Sequence, residues 1–335
     1  MRTKGTFIII ILIISGLIVS FSPFIIAFSS LRKRDILNNS ECMYKSQYKN
    51  KIPKTSALSD KIHINNNWSA AKTAGICTGN GTYSQPYLIE DLVIDGGGSG
   101  SCILIENSTD YAKIENCTVF NSENSGWDAG IKLDEVRNSQ LINNNCSFNP
   151  TGIRLEYSEN NNITENTAIH TACGIYIYYS NFNTVSGNNM SNLSCGMYLF
   201  KGIFNTVSRN TVNHNEYGMY LDESDVNHIW RNNFTNNFHG IYNYHSDSNN
   251  VSQNILNNNI ISGMYLTYSD GNFFAENIIT NNSEYGISLY YSHRNRLSAN
   301  SVNYSTYGIY LRGSYYNCLE GNTLKYNSFG IYLDF

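Results

Sequence analysis

From residue 130 to the end, the chain sets a glycine ahead of an apolar residue at near-constant intervals. These are Gly130, Gly152, Gly174, Gly196, Gly218, Gly240, Gly263, Gly286, Gly308 and Gly330, in steps of 22 residues with two of 23. With that glycine as position one, position two is always Ile or Met, and position four is Leu or Ile except at Asn243. Position twelve is apolar from Leu141 and Ile163 to Leu319, and position seventeen from Cys146 and Ala168 to Leu324. Each repeat therefore holds three short apolar patches, parted by Gly, Asn and Ser. Alternation over such short runs predicts strands with one buried face.

A leucine-rich repeat can have this period, but it needs an Asn three residues after its apolar pair and a return segment able to form helix. Here the first Asn follows position four by six residues, and the return segment is rich in Asn, Ser, Thr and β-branched residues. The pattern predicts an all-β, single-stranded parallel β-helix, its coils stacked roughly 4.8 Å apart. Positions two, four, twelve and seventeen then point inward, with Cys117 and Cys146 as small apolar fillers.

Position fifteen is Asn in all nine complete repeats: Asn144, Asn166, Asn188, Asn210, Asn232, Asn254, Asn277, Asn300 and Asn322. Position ten is Asn in eight of nine, from Asn161 to Asn317, with Ser139 the exception. Asn tolerates left-handed backbone in a tight turn, and its amide can bond the copies above and below, so both rows read as structural ladders.

Upstream, Pro86 to Asp95, a turn at Gly96 to Gly100, Ser101 to Glu106 and Tyr111 to Phe120 have the form of less regular rungs. Trp68 to Ala74 predicts a short helix over the open end, because a bare terminal rung exposes unpaired backbone and apolar side chains. Residues 61–100 thus read as cap and first rungs, and 101–335 as the β-helix repeats. The sequence reaches Phe335 one strand into a new rung. This predicts either burial of that rung by a second copy, end to end, or continuation of the reading frame.

Composition narrows the class. With 51 Asn, 41% hydrophobic and 14% charged residues, the chain is neither disordered nor collagen-like. Residues 1–61 hold 10 Lys/Arg against 3 Asp/Glu and the remainder 12 against 23, so the body carries a net −11 that opposes nucleic acid. Phe7 to Phe28 is an apolar run of 22 behind Arg2 and Lys4, making residues 1–29 a signal peptide or membrane anchor. Arg32, Lys33 and Arg34 favour a cytoplasmic side for the body of the chain, yet a long domain translocates despite local charge. Eight cysteines and a polar Asn/Ser/Thr/Tyr body suit the cell envelope or exterior. Residues 30–60, with Lys45, Lys49, Lys51 and Lys54, read as a basic linker.

The unit G-I-Y-L-x-x-S-x-x-N-x-V-x-x-N, as in Gly218 to Phe234, and the segment from Gly79-Asn80-Gly81-Thr82 to Pro86-Tyr87-Leu88-Ile89 resemble the NosD-like, CASH (carbohydrate-binding and sugar hydrolase) β-helix family over about residues 75–335. The resemblance implies a right-handed parallel β-helix, secreted or envelope-attached. Some such proteins are linked to copper delivery, others to polysaccharide binding or cleavage. The seven His are scattered, Met197, Met219 and Met264 fall at inward positions, and the Asp-Pro-His-Asp motif of related alginate epimerases is missing.

Stacking makes residues one coil apart neighbours, so outward positions form columns. Position three gives Tyr176, Tyr198, Tyr220, Tyr242, Tyr265, Tyr310 and Tyr332, broken by Ser288 and preceded by Lys132 and Arg154. This column serves as a self-stacking ladder and as a platform for sugar rings, flanked by Tyr178, Tyr244 and Tyr290. Position eight gives Asp225, Asp247, Asp270 and His293, each Asp after a Ser: turn chemistry, a weak divalent-cation site, or paired carboxylates for glycoside cleavage. Lys132, Asp134, Arg154 and Glu156 form a charged corner, read as a solvated ion-pair lattice. Cys173 and Cys195 lie one rung apart, within disulfide range but with parallel side-chain vectors. No other cofactor signature is present.

The reading these features favour is an envelope-exposed or secreted β-helix that binds polysaccharide or envelope partners through its tyrosine-lined sheet. The alternatives are a polysaccharide lyase or glycoside hydrolase using the Asp column, a NosD-like accessory protein of copper-site maturation, and a structural spacer roughly 50 Å long.

Overall fold

The computed structural model describes residues 57–335. They form a parallel β-solenoid with three faces: sheets of 12, 11 and 8 strands, and a three-stranded sheet at the start of the third face. Bridges from Thr118 to Asn145 and on to Thr167 join that small sheet to the eight-stranded one. Each strand pairs in parallel with its copy one rung on, as Ile175 with Met197 and Met197 with Met219. The strand Ala57–Ser59, at the end of the segment read as linker, already pairs with Leu92 to Ile94. The leader and most of the linker lie outside the described residues. Among the described residues no helix is long and apolar enough to cross a membrane.

The four inward positions are as the periodicity predicts. Ile175, Ile177, Val185 and Met190 of one rung are almost completely buried, as are their counterparts Met219, Leu221, Ile229 and Phe234. At about 25 cal/mol per Å², such continuous stacks supply the main driving force, shared between neighbouring rungs and not within one.

The repeat glycine owes its identity to close approach. A Cβ on Gly174 or Gly196 would lie 2.6 Å from the carbonyl oxygen of the next rung's glycine, and on Gly218 2.5 Å. Gly and the following Ile or Met are consecutive buried residues, so strict alternation breaks there and the residue before the glycine faces outward.

Corners follow one rule. In the rung beginning at Gly218, Glu223, Val226, Arg231 and Asn236 have positive φ, and each directly precedes an inward polar residue: Ser224, Asn227, Asn232 and Asn237. The left-handed turn therefore sits one residue ahead of the ladder, which corrects the expectation that the ladder Asn itself takes that conformation. The ladder Asn supplies the bonding instead. Asn210 Nδ2 donates to Val185 O at 3.0 Å and to Asn232 Oδ1 at 2.9 Å, while its Oδ1 accepts from Asn188 N and Nδ2, both at 2.9 Å. A third Asn row at position twenty, including Asn215, Asn237 and Asn259, repeats the scheme. The interruptions show its value, because Ser139, Thr171 and Ser305, which stand where the rows want Asn, have buried hydroxyls without a partner.

The expected cap helix spans Trp68–Thr73. Trp68 is buried, stacks on Tyr87 at 4.7 Å and donates its indole N–H to Ser108 Oγ at 2.8 Å. At the other end of the described solenoid, Phe329, Ile331 and Leu333 are about half exposed.

Candidate functional site

The tyrosines of position three project from the 12-stranded sheet because they alternate with its inward Ile, Met and Leu. Tyr176 and Tyr198 stack at 4.8 Å and Tyr198 and Tyr220 at 4.9 Å. Tyr242 and Tyr265 stack at 5.3 Å, and Tyr310 and Tyr332 at 5.7 Å. Two changes break the run. Tyr242 turns edge-on to Tyr220, and at buried Ser288 the gap is bridged by Tyr285, 5.1 Å from Tyr310. Tyr285 belongs to a second outward column, just before the glycine, that also holds Tyr217, His239 and Tyr307. The rings turn their faces to one another and leave edges and hydroxyls outward. Tyr198 donates to Asp222 at 2.7 Å and Tyr310 to Asp334 at 2.9 Å. Burial pushes the Tyr176 and Tyr242 hydroxyls up to about 12, and burial plus the Asp222 bond raises Tyr198, so the sheet presents neutral phenols.

The charged corner is more enclosed than the solvated lattice expected, with Arg154 and Glu156 buried and Lys132 and Asp134 half-buried. Arg154 is 2% exposed, with its guanidinium 4.4 Å from the Tyr176 ring and 5.2 Å from that of Trp127, donating to Glu156 Oε1 at 2.6 Å. Lys132 bridges Glu156 and Asp134. Burial alone would raise the Glu156 pKa, but hydrogen bonds from Lys132 and Arg154 outweigh it and hold the carboxyl below its usual range. Trp127 enters from the loop that links Thr118–Phe120 to Ile131–Asp134, and is tied down through Asp128, which accepts from Ser101 and Ser125. Sequence spacing missed this cover because the loop lies outside the regular repeat.

The aspartate column forms as expected, and its geometry is that of a corner. Asp225 Oδ1 accepts from Asp247 N at 2.7 Å, Asp247 Oδ1 from Asp270 N at 2.6 Å, and Asp270 Oδ1 from His293 N at 2.6 Å. Partial burial raises the Asp247 pKa, the Asp270 N–H opposes that, and the flanking carboxylates add to the rise. Among the described residues no three His, Cys, Asp or Glu converge into a set able to hold a metal ion. Cys173 and Cys195 pair in register as free thiols.

The larger concavity lies at this corner, about 690 Å³, lined by Tyr179, Lys201, Ile203, Glu223, Asp225, Tyr244 and His245. Of the aspartate column only Asp225 reaches it. Lys201 stands 3.3 Å from Glu223 and 5.3 Å from the Tyr179 ring centroid. A second groove of about 390 Å³ is lined by Asn107, Thr109, Glu135, Arg137 and Tyr157. Position six, which supplies Tyr157, Tyr179, Lys201, Glu223 and His245, was not singled out from sequence because its residue type varies from rung to rung. Only tabulation by register reveals it.

A parallel β-solenoid with an aromatic sheet face and polar corner grooves defines the class. The description "Periplasmic copper-binding protein (NosD)" matches residues 78–262 and 239–334, and the chain belongs to this family. No relative among curated proteins matches it. Solved structures share the fold. A double mutant of the periplasmic alginate epimerase AlgG is 19% identical with a TM-score of 0.56, covering 79% of this chain and 69% of that one. The Azotobacter vinelandii mannuronan C-5 epimerase AlgE6 A-module is 13% identical with a TM-score of 0.53, covering 85% and 95%. DFA-IIIase from Arthrobacter chlorophenolicus A6 is 12% identical with a TM-score of 0.52, covering 78% and 79%.

Among the described residues, the Met and Cys of the core do not fit the copper that the family description names. Met197, Met219 and Met264 are fully buried in the aliphatic stacks, and Cys102, Cys117 and Cys146 are buried too.

Proposed function

We propose that this protein is an envelope-exposed or secreted β-helix that binds polysaccharide through the outward aromatic rows of its 12-stranded sheet and adjoining corner. The observation that carries the reading is the aromatic surface itself. Half-buried tyrosines from Tyr176 to Tyr310 present ring edges and neutral hydroxyls over successive rungs, with Asp222 and Asp334 hydrogen-bonded beside them. Apolar edges beside fixed polar groups are what sugars offer complements to. The periplasmic family description and the saccharide-acting proteins of the same fold support this reading. Attachment through residues 1–29 belongs to the same proposal. Binding of the purified chain to a glycan array tests it, and silence across the array refutes it.

One observation favours a second reading, a lyase or hydrolase: Asp225 shares the larger groove with Glu223, Lys201 and His245, groups able to exchange protons. If the chain cleaves a polymer, Asp225→Asn should abolish cleavage, and unchanged cleavage would remove Asp225 from the reaction.

A further inference from the structure

The two grooves occupy one corner, and the strand register aligns them. Asn107, Tyr157, Tyr179 and His245 each follow the paired end of a strand of the 12-stranded sheet, so the corner repeats at the same place on seven successive rungs. The smaller groove covers the first three of these rungs and the larger the next four. They meet at Tyr157 and Tyr179, whose rings stack at 5.6 Å and are 53% and 36% exposed. Six steps of roughly 4.8 Å make a path about 29 Å long, parallel to the solenoid axis.

We propose that a linear, uncharged polysaccharide lies along this corner, with Tyr157 and Tyr179 at the centre of its path. The inference rests on the polysaccharide-binding reading and narrows it in position and in substrate class. Three observations carry it. The flat face stacks its rings on one another, whereas the corner forms two shallow, open depressions with polar and aromatic linings. Charge on the path is paired, Arg137 with Glu159 at 3.2 Å and Lys201 with Glu223 at 3.3 Å, which leaves fixed donors and acceptors for hydroxyls. The carboxylates left over, Glu135 and Asp225, give the grooves a negative balance that opposes a polyanion.

Tyr157 and Tyr179 hold φ of 46° and 44°, the left-handed conformation that Glu135, Lys201, Glu223 and His245 share on the other rungs, so it belongs to the corner, and glycine can replace either tyrosine without strain.

Calorimetry on the full chain tests the proposal with three hexasaccharides: β-1,4-glucose, β-1,4-N-acetylglucosamine and, as the acidic probe, β-1,4-mannuronate. Tyr157→Gly with Tyr179→Gly removes both rings while keeping a residue at ease with positive φ, and Lys201→Ala is a milder second probe of the corner. Tyr304→Gly with Tyr326→Gly, a stacked pair of exposed tyrosines with positive φ at another corner, is the control. The expected result is binding of an uncharged hexasaccharide that weakens at least about tenfold in the corner double variant, less in Lys201→Ala, and within about twofold in the control. Binding that survives unchanged in the corner double variant would place the polymer elsewhere, overturning the inference while leaving polysaccharide binding intact. Tighter binding of the mannuronate probe would overturn the substrate class. No binding of any probe would count against the binding reading itself, and this inference would fall with it.

Discussion

Asn210→Ala is the sharpest test of how the solenoid is held. The Asn210 side chain makes four hydrogen bonds in a place where it is 1% exposed. Truncation strands the Asn188 N–H, which has Asn210 Oδ1 as its acceptor, and removes one partner each from Val185 O, Asn188 Nδ2 and Asn232 Oδ1. A buried donor left unmade costs about 1–3 kcal/mol and each lost shared bond about 0.5–1.5, so the expected loss is about 3–4 kcal/mol. That is a large part of the 5–15 kcal/mol typical of a domain. Asn322→Ala, at a part-buried position where the side chain donates to Leu297 O and accepts from Asn300 N and Nδ2 but has no further ladder Asn to donate to, should cost about 2–3 kcal/mol. Urea unfolding followed by circular dichroism compares the two variants. Because repeat arrays can open locally, native-state hydrogen exchange at the Asn188 amide should show the loss directly. A cost below about 1 kcal/mol for Asn210→Ala, with the Asn188 amide still protected, would show that the ladder decorates the fold and does not hold it.

Other expectations rest on the same geometry. Ser305→Asn, which restores the third ladder at a hydroxyl now buried and unpartnered, should raise stability by about 1 kcal/mol in the same urea assay. Asn243→Leu, at the one core position four that is polar and has an unpaired Oδ1, should stabilise by about 1–2 kcal/mol. Gly218→Ala puts a methyl 2.5 Å from Gly240 O and should cost roughly 3 kcal/mol, seen as a lower urea midpoint. Burial lowers the His239 pKa from 6.5 to about 4, so the unfolded chain binds the extra proton more readily. Stability should therefore fall as pH drops from 6.5 towards 4, by up to about 3 kcal/mol, and His239→Gln should flatten that segment of the pH profile.

What could be read from the chain divides by kind of evidence. Core positions and two Asn rows were legible because stacking imposes the same environment on each rung, so residue type repeats: Ile175, Met197 and Met219 share one site three times over. The third Asn row was obscured because Leu193, Thr171 and Ser305 interrupt it. The grooved corner was hidden for a related reason, since Tyr179, Lys201, Glu223 and His245 occupy one geometric position with four different side chains. The burial of Arg154 was out of reach, because the loop that delivers Trp127 has no counterpart in other rungs.

By itself, then, the sequence determined the solenoid: a 22-residue period of inward apolar groups, polar ladder residues and a glycine that admits no Cβ. Such features are local and recur, and a repeat of one environment leaves a repeat in the chain. The tertiary structure alone decided which outward residues meet in a concavity and which rings spend their faces on each other. Those outcomes depend on side-chain directions at left-handed corners and on one irregular loop, where neighbours in space are set by register between rungs and not by residue type.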